Sequence, residues 1–466
     1  MKKRAILSIN RSDNRGGAAV VAWNLFDYFR RAGMDSYYAV QQKNSDHPNV
    51  LVIPDKQYAP AWRKLIDSIK ESLQKRATRI KGLWTIATLL DWVGSPARVL
   101  RRKLGYEEFN YAGSRHVLDL VPHPIDIVQL HVLHGGYFDL RYLASLSARM
   151  PVFCTLHDAW MLSGHCAHSF DCTRWETGCG KCPDLTIPVA IERDGSATNW
   201  KRKHAIYQHS RLYIATPCQW LMDKVSRSML ARAAVETRVI PNGVDPSVFH
   251  PGDKLRCRDL LGLPQGAYIF LFAANGIRRN RWKDFEMMKA AIARIASLHQ
   301  SLPVIFLALG EAAPTEIIGN TEIRFMPFRT DPAQVANFYR AADLYLHAAK
   351  AETFPTTILE SLSCGTPVIA TAVGGIPEQV RGYNGFGNAA GLNQFDAFGA
   401  TGILTAAGDN ASFAEAIILL MENEPLRMHL GKNASADAAE RFTLQKQGES
   451  YLKWYEEVAA KLNKGS

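Results

Sequence analysis

The stretch from Leu344 to Glu378, LYLHAAKAETFPTTILESLSCGTPVIATAVGGIPE, constrains the fold of this chain more than any other. LYLHAA is a short apolar run of strand type, and KAETF is a polar turn. Pro355 stands where a first helical residue is expected, because its missing N–H does no harm there. Ile358, Leu359 and Leu362 share one helical face, and Gly365 supplies the stop. VIAT gives a second strand, and Gly374-Gly375 opens the next turn. The unit is strand–helix–strand, with the helix N-terminus aimed at the crevice beyond the strand ends. Backbone N–H groups and the helix dipole make such an end an anion site. Two carboxylates, Glu352 and Glu360, bracket it.

Glu352 and Glu360 are separated by seven residues and followed by S-L-S-C-G-T-P-V-I-A-T and G-G-I-P-E. This resembles the E-x7-E motif of the retaining glycosyltransferases of family 4, which have the GT-B fold. The bare pair carries little; the pair with Phe354-Pro355, Gly365-Thr366-Pro367 and Gly374-Gly375 in place is specific. The plainer alternative is an ordinary βαβ unit with solvent-facing glutamates. The resemblance covers nearly the whole chain. It implies an α/β protein of two Rossmann-like domains, with parallel sheets facing a cleft. It also implies a UDP- or GDP-linked sugar as donor, and transfer with retention.

The resemblance assigns residues as well. Glu360 would hold the ribose hydroxyls, since a carboxylate can accept two hydrogen bonds from a diol. Arg278 and Lys283, five apart after the strand YIFLFAANG, would hold the diphosphate, whose charge grows as it leaves. Asp284 stands where the family usually has Gly. The helix start at Phe354, Pro355, Thr356 and Thr357 would share that task through backbone N–H groups. Glu352 would face the donor sugar, as nucleophile or as electrostatic partner. In the first half, Gly16-Gly17 lies between the strand AILSIN and a helical run, where glycine lets backbone approach a ligand closely. The family has a matching turn facing the donor phosphate. His131, His134 and His157 fall at the ends of two successive strands, and His157 is the match for the family's donor-sugar histidine. No Asp-x-Asp triplet occurs, so cations from side chains rather than a catalytic metal are expected at the diphosphate.

The chain has 466 residues, enough for two or three domains. Pro241-Asn242-Gly243-Val244-Asp245 resembles the family's interdomain crossing. The expected division is therefore an acceptor-side domain over 1–240 and a nucleotide-sugar-binding domain over 241–445. A C-terminal helix over 446–466 is expected to pack back onto the first domain. GILTAA, from Gly402, reads as an edge strand. No segment reaches ~18 uninterrupted apolar residues, and MKKRAILSIN is too short for a signal peptide. A cytoplasmic chain is expected.

Net charge is +11, and most of the excess is one patch: residues 56–105 hold twelve Lys or Arg against three acids. Trp62, Leu65, Ile66, Ile69, Leu73, Ile80, Leu83, Trp84, Leu89 and Trp92 interleave with the charge. Such a basic amphipathic insertion, over 56–115, suits the anionic inner face of a membrane and a lipid-linked oligosaccharide acceptor. The alternative is a solvated face. Nucleic acid is not expected, because no recognition motif accompanies the charge.

Cys166, Cys172, Cys179 and Cys182 cluster within seventeen residues, the last two as a C-x2-C knuckle. Stable disulfides do not suit a cytoplasmic chain. A structural Zn²⁺ site, with His165 or His168 as a possible replacement ligand, competes with free thiols and a redox pair. The segment resembles a bacterial surface-polysaccharide branch of the family. A glycan phosphorylase, a non-catalytic sugar-nucleotide binder and a nucleic-acid binder are the rival functions.

Overall fold

A computed structural model describes residues 4–76, 89–90, 92–300, 302–387 and 394–465. Part of the basic insertion, including the expected contributions of Arg79, Lys81 and Trp84, lies outside the described residues. The chain divides into two compact units. One takes the chain up to Thr216, Met222–Arg238 and the residues from Val458 onward; the other takes Pro217–Leu221 and Val239–Glu457.

The first unit is built on seven strands: β1 (Ala5–Ser12), β2 (Asp35–Gln42), β3 (Val50–Val52), β4 (Ile127–Leu130), β5 (Val152–Thr155), β6 (Leu212–Thr216) and β7 (Ala234–Val239). Their order is β3-β2-β1-β4-β5-β6-β7, and every pairing from β3 to β6 is parallel. β4 and β5 are buried along their whole length, as the apolar runs IVQL and VFCT require of strands covered on both faces.

The second unit holds β8 (Tyr268–Ala273), β9 (Val304–Leu309), β10 (Glu316–Ile318), β11 (Thr321–Met326), β12 (Leu344–His347), β13 (Val368–Thr371), β14 (Gly382–Tyr383), β15 (Gln394–Phe395) and β16 (Gly402–Thr405). The order is β10-β11-β9-β8-β12-β13-β16-β14-β15. β10 joins β11 antiparallel; the neighbours from β11 to β16 are parallel. GILTAA is therefore not an edge: β16 lies between β13 and the short β14. Two-residue strands such as β14 and β15 leave no periodicity for sequence reading to find.

Each unit thus contains the doubly wound order 3-2-1-4-5-6 of its own parallel strands. In such sheets, ligands bind beyond the carboxyl ends of the strands where the winding reverses. That point lies between β1 and β4 in the first unit and between β8 and β12 in the second. Together these features make the fold GT-B.

Candidate functional site

In the second unit, the loop after β8 carries Arg278 and Lys283, and the loop after β12 carries Glu352. Lys283 pairs with Ala349 as an isolated bridge, and Asp284 N–H donates to Ala348 O at 3.0 Å. The two loops at the switch point are therefore stitched together by backbone. Asp284, the departure from the family pattern, caps the helix Phe285–Leu298 by accepting from Met287 N–H at 3.2 Å. A carboxylate at that position satisfies a donor that a glycine would leave to water.

Lys283 is buried and reaches Glu352 directly. Its Nζ is also 3.0 Å from His347 Nε2, and His347 Nε2 is 3.4 Å from Glu352 Oε1. Tyr345 Oη lies 3.0 Å from His347 Nδ1 on the far side of the ring. Burial pushes the Glu352 carboxyl up, but the Lys283 ammonium and then His347 outweigh it, and the group is held at about 2. Burial, reinforced by Lys283, pulls His347 down to about 4. At neutral pH Glu352 is therefore a carboxylate and His347 a neutral imidazole.

Glu360 is tuned the other way. It lies on the helix Thr356–Ser363 and accepts from Tyr339 Oη at 2.8 Å. Burial pushes its carboxyl up to about 7, only partly offset by Tyr339 and Thr356. Two acids eight positions apart are thus shifted in opposite directions, because one has a cation and the other has only hydroxyls.

Pro355 is the cap residue itself, with ψ 126°, and the helix begins at Thr356 rather than at Pro355. The helix closes as a Schellman motif: Gly365 N–H donates to Leu362 O and Thr366 N–H to Ser361 O, with Gly365 at φ +75°. Phe354 is buried against Phe442, so only its backbone is available to a ligand. Gly374, at φ +59°, lies so close to Glu352 that a Cβ there would meet its carbonyl oxygen at 1.8 Å. Gly375 N–H donates to Thr353 O at 2.9 Å. The glycine pair of the motif is where the Glu352 loop rests.

Arg278 does not join Lys283. Its Nε donates to Glu311 Oε1 at 2.7 Å, and the N–H groups of Ile277 and Arg278 donate to Glu311 Oε2. Sequence reading missed Glu311, which directly follows the strand PVIFLALG, and it gave no role to His347, Tyr339 or Tyr345. For His347 the available signal was a polar residue ending a strand otherwise wholly apolar.

In the first unit, Gly16 caps the helix Gly17–Arg31, and both glycines are exposed. His157 Nε2 lies 3.0 Å from His131 Nδ1. Burial lowers His157 to about 4, and burial with His157 alongside holds His131 well below its ordinary value, so both rings are neutral. His134 Nε2 is 2.8 Å from Asp158 Oδ2. Burial raises the Asp158 carboxyl, but His134 more than compensates. The three histidines therefore form two linked pairs at the ends of β4 and β5.

The cysteine segment is a set of loops. Gly164 N–H points at Cys179 Sγ (3.3 Å), and His165 Nε2 lies 3.1 Å from Cys182 Sγ. All four cysteines are free thiols. Among the described residues, no group of three or more His, Cys, Asp or Glu converges in a way that would hold a metal ion. The described residues therefore do not bring the four cysteines together as the expected metal centre.

Comparison with known proteins bears on the second unit most. Residues 261–437 match the family model described as glycosyl transferases group 1. A D-inositol 3-phosphate glycosyltransferase from Catenulispora acidiphila is 31% identical over 215 residues, covering 43% of this chain and 47% of that protein. The colanic acid biosynthesis glycosyl transferase WcaC of Escherichia coli K12, described as putative, is 27% identical over 266 residues, covering 53% and 59%. The chain thus spans about half the length of these relatives. Solved structures with the same fold include sucrose-phosphate synthase from Thermosynechococcus elongatus, at TM-score 0.61 and 16% identity over 98% of this chain and all of the other. HepE from Anabaena, in complex with UDP and glucose, aligns at TM-score 0.58 and 18% identity over 97% and 99%.

Proposed function

We propose that this protein is a retaining glycosyltransferase of family 4 type. It would move a sugar from a nucleotide-sugar donor to a growing bacterial surface or exopolysaccharide glycan. The observation that carries the reading is the Lys283–Glu352–His347 cluster at the switch point of the second sheet, within the matched family region. Lys283 meets the donor diphosphate and neutralises the charge that develops as it leaves. Thr356 and Thr357 offer the first N–H groups of their helix to the same oxygens. Glu360, once ionised, accepts from the ribose diol. Glu352 is half-buried, ionised and committed to Lys283, which supports an electrostatic role beside the donor sugar rather than that of a free nucleophile. Arg278 reaches the diphosphate after exchanging Glu311 for it. Gly16, Gly17 and His157 belong to the acceptor-side domain, 1–240, the donor domain being 241–445. The side-chain cations take the place of a catalytic metal.

The relative involved in colanic acid biosynthesis supports a polysaccharide product. The exposure of Trp62, Leu65, Ile69, Trp92 and Leu100 beside the exposed Lys64, Arg101, Arg102 and Lys103 supports attachment to the anionic cytoplasmic face of a membrane and a lipid-linked acceptor. The test is donor hydrolysis and transfer over a panel of UDP- and GDP-sugars, with stereochemistry read by NMR. Donor turnover that Lys283→Ala abolishes is expected; a chain that binds no nucleotide sugar overturns the reading. Failure to bind anionic vesicles at low salt would remove the membrane part alone.

A further inference from the structure

The first unit has its own furnished switch point. A cavity of 560 Å³ lies beyond the end of β4, floored by Leu133 to Gly136 and walled by Trp160 and Phe109. It falls within the size range of small-molecule sites, about 300–1,000 Å³. Its roof is the basic insertion, through the helices Ala61–Arg76 and Pro96–Lys103. The insertion's cations divide between two environments. Lys56, Lys64, Arg101 and Lys103 are exposed, whereas Arg63, Lys70 and Arg98 are half-buried and line the cavity. Arg63 holds the roof together, donating to Asp67 and to Ser95 Oγ.

The carboxylates of the lining already have cations. Glu107 is paired with the fully buried Lys203 at 2.9 Å. Glu192 has Arg102 and Lys103 at 3.4 and 3.1 Å. Glu108 has Arg101 at 3.8 Å. Arg98 differs: among the described residues its partner is no carboxylate but the neutral Tyr111 Oη, at 3.0 Å, with the guanidinium 5.2 Å from the ring centroid. A stacked guanidinium fixed by a phenol keeps donors for a second group, in the planar geometry that phosphoryl oxygens match. The largely buried ring of Trp160, with Lys203 over it and its N–H on Glu107, also lines the cavity. His134, held by Asp158 with its ring 5.6 Å from that of Trp160, offers a polar edge. An aromatic ring next to fixed hydrogen-bonding groups suits a sugar ring.

We propose that this cavity is a second ligand subsite that takes a phosphoryl-bearing saccharide, the phosphoryl on Arg98 with Lys70 and the sugar against Trp160 and His134. It rests on the glycosyltransferase reading, for which it names the acceptor class. The phosphoryl group belongs either to a soluble sugar phosphate or to a lipid-linked one, and the same chemistry serves both.

The experiment titrates the full chain with glucose 1-phosphate by calorimetry, with saturating UDP present so that the donor site is filled. A parallel arm measures retention on neutral phosphatidylcholine vesicles with and without a polyprenyl phosphate. Binding in the first arm marks a soluble acceptor, and retention that depends on the polyprenyl phosphate marks a lipid-linked one; either supports the subsite if Arg98 controls it. Arg98→Ala is expected to weaken that binding about ten-fold or more, the worth of a charged hydrogen bond. Arg98→Lys should restore part of it, and Lys64→Ala, on the exposed face, should change it little. Thermal unfolding of each variant shows whether it has folded, and Arg98→Lys carries the test if Arg98→Ala has not. No binding in either arm, or equal losses in Arg98→Ala and Lys64→Ala, overturns the subsite. UDP binding in the same protein then shows that the donor reading stands; its absence overturns that reading instead.

Discussion

Both sheets reverse their winding between the first and the fourth parallel strand, yet the two crevices are furnished in different ways. In the second unit, charges of opposite sign sit in contact, and the loop that carries Glu352 rests on two glycines. In the first unit the strand ends present the neutral pair His131–His157 and the Asp158 carboxylate on His134, and the cations arrive from elsewhere in sequence, on an inserted pair of helices. A crevice made from strand-end loops alone is compact in sequence and tolerates few substitutions. A crevice roofed by an insertion can change its ligand by changing the roof while the sheet stays as it is.

The largest effect should come from Lys283→Ala. Loss of one preorganised stabiliser of developing charge costs ~100- to 1,000-fold in turnover. The same change leaves the half-buried Glu352 without its cation, so the thermal midpoint should also fall. Steady-state kinetics and a melting curve check both parts. If turnover fell while donor affinity and stability stayed unchanged, Lys283 would act on the transition state alone. If nothing changed, the crevice of the second unit would not be the donor site.

The matching break in the first unit is Lys203→Ala. Lys203 is wholly buried, donates to Glu107, Trp160 O and Ser163 O, and lies 3.6 Å from the centroid of the Trp160 ring. Burial disfavours its charge, and Glu107 only partly restores it. Removing one partner of such a pair costs about 3–5 kcal/mol, read as a shift of the chemical unfolding midpoint. A loss under ~1 kcal/mol, the worth of an exposed pair, would mean that this ion pair does not tie the insertion side of the cavity to the sheet.

Glu360 tests the contrast between the two acids by pH. Its carboxyl, raised to about 7 against an ordinary 4.5, keeps a proton in the folded chain that the unfolded chain has released. Folding stability from this group therefore falls as pH rises from 4.5 toward 7 and is level beyond. Donor affinity should move the opposite way, improving roughly ten-fold between pH 6 and pH 8 as the diol acceptor ionises. Glu360→Gln should flatten both profiles. An affinity independent of pH in the unmodified protein would show that the ribose does not rest on Glu360.

These contrasts were unevenly legible in the sequence. The alternation of apolar strands and helices gave the α/β class, because buried parallel strands need continuous apolar runs, and the resemblance around Glu352 and Glu360 implied the GT-B architecture. The motif around Glu352 and Glu360 was readable because each glycine and proline in it has a backbone task. What failed was anything set by pairing across sequence distance. Nothing near Arg278 announces Glu311, and nothing near Glu352 announces that Lys283 will be its partner. The position of β16 depends on two-residue strands that carry no pattern. The cavity of the first unit joins residues more than a hundred positions apart, so the basic insertion read as a surface when part of its charge faces inward.

The smallest expected effect is no effect, and it concerns the four cysteines. Spacing alone suggested a metal centre, but the thiols are held in a way that favours protonation. Burial raises Cys179 to about 12 and raises Cys166 and Cys182 as well, so without an ion these three stay protonated at neutral pH. Cys182 also faces His165, whose other ring nitrogen is 3.0 Å from Val189 O. Hydrogen bonds and the packing of the buried Trp175 run through these loops. Chelator treatment should leave the melting temperature unchanged, and elemental analysis should find well under one zinc per chain. One tightly held zinc, with a fall in melting temperature on its removal, would show that the metal gathers the sulfurs. The first unit would then be the one whose loops depend on a ligand to hold their shape.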